Sequence, residues 1–124
     1  MSMSRFFILG DPHVHAYELD LWEEVIGDIN ATAPDAVLVL GDLTGGGLTG
    51  TSKGTAIAAR ILDGLDAPWF SIIGNHDLQN KEFTSDEAAT AMMLQYLGRN
   101  SPGFRTDIGP LSVIGLSNTR WRVN

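Results

Sequence analysis

No cysteine occurs among the 124 residues, which excludes disulfides, Cys-ligated zinc and thiol catalysis together. Histidine is scarce at three. A bound metal would therefore be held by Asp, Asn and His, donors that suit Mn, Mg, Fe or Zn. Basic residues are also few: 8 Lys and Arg against 15 Asp and Glu leave a formal net charge of −7. Phosphate backbones are gripped by clustered Lys and Arg, so bulk nucleic-acid binding is not expected. The acidic balance agrees instead with divalent cations, or simply with solubility. No apolar run approaches membrane-spanning length, and Met1-Ser2-Met3-Ser4 is too short and polar for a signal peptide. The expectation is a soluble, cytoplasmic protein with no membrane association.

What is present suits one globular domain with one core. The apolar share of 44% argues against disorder. No internal repeat, low-complexity tract or interdomain linker interrupts the chain. Arg5 to Leu9 reads as a strand without polar alternation, the pattern of a strand covered by helices on both faces. Trp22, Val25, Ile26 and Ile29 then recur at helical spacing, predicting a helix from about Tyr17 to Asn30 that stops before Pro34. Ala36 to Leu40 is the second strand. Ala58, Ile61, Leu62 and Leu65 mark a second amphipathic helix, closed by Gly64 and Pro68. Trp69 to Ile73 is the third strand. Thr84-Ser85-Asp86-Glu87 fits a capping box, with Thr84 and Glu87 serving a helix that buries Ala89, Met92, Met93 and Tyr96 and ends at Gly98. Phe104 to Ile108 and Leu111 to Leu116 read as an antiparallel hairpin joined at Gly109-Pro110. Alternating β and α elements predict an α/β fold with a mostly parallel, helix-covered sheet.

Each of the three predicted strands runs into a Gly followed by polar residues: Gly10-Asp11-Pro12-His13, Gly41-Asp42-Leu43-Thr44 and Gly74-Asn75-His76-Asp77. If the strands are parallel neighbours, these stretches converge at the carboxyl edge of the sheet, where open α/β folds place ligands. Asp11 and His13, two residues apart, would point into one metal site, Asp42 would bridge to a second, and Asn75 would add a neutral oxygen there. Metals roughly 3.5–4 Å apart polarise a phosphoryl group and acidify a water. His76 would stand beside them as an acid for the leaving oxygen.

The series Asp11-x-His13, Gly41-Asp42 and Gly74-Asn75-His76-Asp77 resembles the calcineurin-like metallophosphoesterase family, in the same order and on similar strand ends. The Gly41-Asp42-Leu43-Thr44 version is closer to the small phosphodiesterase branch than to the protein phosphatases. The resemblance implies an α/β/β/α sandwich and hydrolysis of a small phosphorylated substrate, a phosphodiester or phosphomonoester, by in-line attack of an activated water. It also implies two divalent metal ions (Mn, Fe, Zn or Mg), with Asp11, His13, Asp42 and Asn75 as ligands and His76 as the catalytic histidine. The family's pattern adds three histidines further along, whereas this chain has His13, His15 and His76. Residues 1–124 are accordingly expected to be the N-terminal portion of such a domain, the first half of the sandwich. Gly45 stands where some relatives carry an Asp that orients the catalytic histidine.

Plainer readings accompany each motif. Gly41-Asp42 and Gly74-Asn75-His76-Asp77 are also ordinary turn chemistry. His15 is expected as a solvated loop residue, although Asp11-Pro12-His13-Val14-His15 also resembles the His-x-His opening of PHP and amidohydrolase-type metal hydrolases. Gly45 to Gly50 reads as a mobile loop without the Lys of a phosphate-binding P-loop. Met92 and Met93 are expected as core filling, and Arg120 and Arg122 as frayed, solvated residues. The alternative to an enzyme is a non-catalytic metal-binding module. With its second half absent it would expose apolar surface along Leu111 to Leu116 and self-associate as a homo-oligomer.

Overall fold

Apolar runs bounded by Gly and Pro form the strands, and the amphipathic segments between them form helices. In the computed structural model, which describes residues 3–80 and 82–117, β1 (Phe6–Leu9), α1 (Leu19–Ala31), β2 (Ala36–Val39), α2 (Ser52–Leu62), β3 (Trp69–Ser71) and α3 (Asp86–Leu97) alternate along the chain. A hairpin of β4 (Phe104–Ile108) and β5 (Leu111–Gly115) follows. The first three strands form one parallel sheet in the order β1-β2-β3, with Ile8 opposite Leu38 and Leu38 opposite Phe70. β4 and β5 pair antiparallel as a separate two-stranded sheet. The chain is thus mixed α/β, as the alternation predicts. Among the described residues, no helix is long and apolar enough to cross a membrane.

Successive strand residues face opposite sides of a sheet, and the two sides of this one are covered differently. Phe7, Leu9, Val37, Val39 and Trp69 join the main core with Ile26 and Ile29 of α1, Ala58 and Leu62 of α2, and Met92 and Met93 of α3. Val37 and Val39 are fully buried, each worth roughly 1.5–3 kcal/mol of apolar burial. The alternate residues Phe6, Ala36, Leu38 and Phe70 pack instead on Phe104, Ile108 and Val113 of the hairpin. The expectation of helices on both faces of the sheet is therefore corrected. An all-apolar strand requires two apolar coverings, and a second sheet meets that requirement as well as a helix does. This second covering is partial, leaving Ile8 57% exposed on β1 and Ile114 64% exposed on β5.

The Thr51 hydroxyl accepts the Gly54 N–H at 2.9 Å and caps α2. α3 is capped by Ser85, whose hydroxyl accepts the Ala88 N–H at 3.1 Å. The Thr84–Glu87 capping box is thus corrected by one residue: Ser85 is the extended residue preceding the helix, so it faces the free N–H groups. Gly98 closes α3 in a left-handed conformation. α1 starts at Leu19 rather than Tyr17 and has no side-chain cap. Leu65 lies beyond the end of α2, yet is buried in the core. Tyr96, expected inside, is 41% exposed, while Ala89, Met92 and Met93 are buried. The Gly45–Gly50 segment holds a 3-10 turn, Gly46–Leu48. It is tied down by the Gly50 N–H to the Thr44 hydroxyl and by the Asn80 amide to the Thr49 carbonyl. Arg120 and Arg122 lie outside the described residues.

Candidate metal centre

The parallel order β1-β2-β3 places all three Gly-led stretches at the carboxyl edge of one sheet. Beyond the strand ends, β1 and β2 stay in register through their loops. His13 donates its N–H to the Asp42 carbonyl at 3.0 Å, Val14 to Leu43 at 2.8 Å and Gly45 to Val14 at 3.0 Å. Val14 and Leu43 are buried at 2% and 0% exposure, so each loop is anchored by an apolar residue beside its polar ones. His13, next to the buried Val14, is only half-buried.

Asp11, His13 and Asp42 are brought together, with one donor atom from each lying within 4.8 Å of the others. The Asp42 Oδ2 oxygen stands 4.0 Å from His13 Nε2. Its Oδ1 accepts the backbone N–H of His76 at 2.9 Å. Two carboxylates and an imidazole, gathered where Asp42 is only 7% exposed, form a donor set that fits a divalent cation of the Mn, Mg, Fe or Zn type. All three residues carry positive φ: 46° at Asp11, 47° at His13 and 51° at Asp42. Left-handed backbone at a residue with a side chain costs roughly 1–2 kcal/mol, although Asp and His tolerate it better than most. Such strain concentrates at functional sites.

The third stretch docks on the second at very close range. A β-carbon on Gly74 would stand 2.6 Å from the Asp42 nitrogen, and one on Gly41 would stand 2.8 Å from Gly74 Cα. Neither loop could carry a side chain there. Between them lies Asp77, 1% exposed. Its Oδ2 accepts N–H groups from Asp42 at 2.9 Å and Gly74 at 2.7 Å, and its Oδ1 accepts that of Leu43 at 2.9 Å. Successive N–H groups of Asp42 and Leu43 thus cradle one carboxylate, the arrangement of a backbone anion nest. Burial raises the Asp77 carboxyl above its ordinary 3.8; the Gly74, Leu43 and Asp42 N–H groups pull it back, and the Asp42 charge adds a smaller upward push.

His76 opens a 3-10 turn, His76–Leu78, that follows Asn75. Its ring meets that of His13 edge-on, with centroids 5.7 Å apart. Asn75 is exposed one residue before it. His15 stands outside the Asp11–His13–Asp42 group. Its imidazole lies against the Gly45–Gly46 backbone, where a β-carbon at Gly45 would be 2.7 Å from Nε2, and stacks obliquely on Tyr17 at 5.1 Å. The small residues at 45 and 46 make that berth, and an Asp at position 45 would collide with it. The residue that motif reading left without a role is Asp77. Its sequence signal is its place as the last residue of Gly74-Asn75-His76-Asp77, after an apolar strand.

The family model described as calcineurin-like phosphoesterase matches residues 4–120. No curated protein matches the chain.

Proposed function

The chain belongs to the calcineurin-like phosphoesterase family, and from that premise we propose that it serves a metal-dependent phosphohydrolase, acting on a small phosphodiester or phosphomonoester. The observation that carries this reading is the Asp11–His13–Asp42 group at the carboxyl edge of β1 and β2. Asp11 and His13 would hold a first divalent ion, Asp42 would be shared with a second, and Asn75 would contribute its side-chain oxygen to the second. Bound there, such ions supply Lewis-acid polarisation of the phosphoryl group and an acidified water near neutral pH. Asp42 offers Oδ2 to this work, because Oδ1 is held by the His76 N–H. That bond also fixes where the His76 backbone stands, and hence where its imidazole can deliver a proton to the departing oxygen.

The test is hydrolysis of bis-p-nitrophenyl phosphate with added manganese, comparing the chain with Asp42→Asn. Manganese-dependent turnover by the first and none by the second is expected. Equal rates for both, or no turnover by either, would overturn the assignment of hydrolysis to this chain.

A second reading is favoured by the exposed apolar residues of the hairpin side: Ile8, Leu111, Ile114 and Leu116, at 57%, 45%, 64% and 79% exposure. On that reading the chain self-associates through the hairpin, and the metal group serves assembly rather than turnover.

A further inference from the structure

Resting on the metal-centre reading above, we propose that Asp77 is the positioning residue of that centre: it sets the left-handed pose of Asp42 and thereby the affinity of the site for its cation. Asp42 has φ 51° after Gly41 at 80°. This pose turns the N–H groups of Asp42 and Leu43 away from β2 and toward the third loop, where no ladder partner exists for them. Asp77 receives both, together with Gly74 N–H, through three short bonds in a site almost closed to water.

The fastening is reciprocal. Asp77, on the third loop, holds the backbone of the second, while the Asp42 carboxylate, on the second loop, holds the His76 N–H of the third. Each carboxylate therefore fixes the loop that carries the other. Removing Asp77 takes the acceptor from three N–H groups, those of Asp42, Leu43 and Gly74, and the inexpensive relaxation is for the strained Asp42 to leave φ > 0. Its Oδ2 would then swing away from His13 Nε2. Asparagine cannot stand in for Asp77. With its oxygen in the Oδ2 place it turns an NH2 donor toward the Leu43 N–H, and flipped it opposes the other two donors.

The measurement is the Mn2+ dissociation constant of the full chain by electron paramagnetic resonance, for the parent, Asp77→Asn and Ser85→Ala. Ser85→Ala removes a helix cap on α3 and reports what a plain loss of stability does. A stabilising osmolyte keeps weakened variants folded during the titration. Partners that orient metal ligands typically contribute about 10- to 100-fold in affinity. Binding is expected to weaken by that factor in Asp77→Asn and to stay within about twofold in Ser85→Ala. In the metal-free chain, hydrogen exchange at the His76 amide, whose acceptor is the Asp42 carboxylate and not that of Asp77, is expected to accelerate in Asp77→Asn. Affinity in Asp77→Asn equal to the parent's, or an equal loss in Ser85→Ala, overturns the proposal. A parent that binds no Mn2+ at all would instead sink the metal reading. The positioning role is then decided by the His76 amide alone, with acceleration upholding it and an unchanged rate overturning it.

Discussion

Gly41→Ala tests the loop-on-loop packing that the site depends on. Gly41 has φ 80°, where a β-carbon costs about 1–2 kcal/mol. That β-carbon would also press on the Gly74 nitrogen and lie 2.8 Å from Gly74 Cα. These are backbone atoms that cannot rotate aside, and forcing such an overlap typically costs about 1–3 kcal/mol. The sum, about 2–5 kcal/mol, is a large share of the 5–15 kcal/mol that holds a small domain folded. With a urea slope near 2 kcal/mol/M, the unfolding midpoint is expected to fall by about 1–2.5 M. Gly47→Ala is the matched control, since no heavy atom lies within 4 Å of its β-carbon position and its φ is not positive. It should leave the midpoint within about 0.5 M of the parent's, or raise it slightly by restricting the unfolded chain. A Gly41→Ala loss below about 1 kcal/mol, or equal losses in both variants, would refute the packing argument.

The cap assignment predicts that Ser85→Ala lowers stability by about 1 kcal/mol while Thr84→Ala stays within about 0.5 kcal/mol of the parent; equal effects in thermal unfolding would restore the earlier register. Because burial raises the Asp77 carboxyl above 3.8, its titration favours the fold most below that value, and the benefit fades as pH climbs through the raised folded pKa. The stability difference between the parent and Asp77→Asn, measured by urea unfolding without metal, should therefore shrink with rising pH. A difference that widened would contradict burial as the leading influence. Self-association through the hairpin side predicts that Ile114→Lys, placing a charge at a 64% exposed site, weakens any concentration-dependent sedimentation of the parent; identical profiles would remove Ile114 from the interface.

Much of the fold could be read because its signals are local. Phe6-Phe7-Ile8-Leu9 and Ala36-Val37-Leu38-Val39 announce strands by composition, and Trp22, Val25, Ile26 and Ile29 announce a helix by spacing. Local signals are ambiguous where neighbours compete. Thr84 and Ser85 are both good caps, and only the path of the chain into α3 decides which one faces the free N–H groups. Leu65 follows the helical period yet is buried after α2 has ended, since a turn can deliver a side chain to the same core. One face of the sheet is covered by the hairpin instead of helices, because an apolar strand demands cover without saying of what kind.

By itself, the sequence determined the supply of chemistry: no thiol, an excess of carboxylates, and Asp, His and Asn placed after apolar runs that end at glycine. It also determined that these runs would seek cover from water, because water rejects them wherever the chain goes. Only the tertiary structure decided that Asp11, His13 and Asp42 share one space while His15, two residues from His13, is laid against Gly45 and Gly46. Only it disclosed Asp77, a residue 35 positions beyond Asp42 whose carboxylate receives Asp42's own N–H. The physical reason is range. Strand and helix preferences act over a few residues, whereas a shared site depends on where separate loops come to rest, and that depends on the packing of the sheet beneath them.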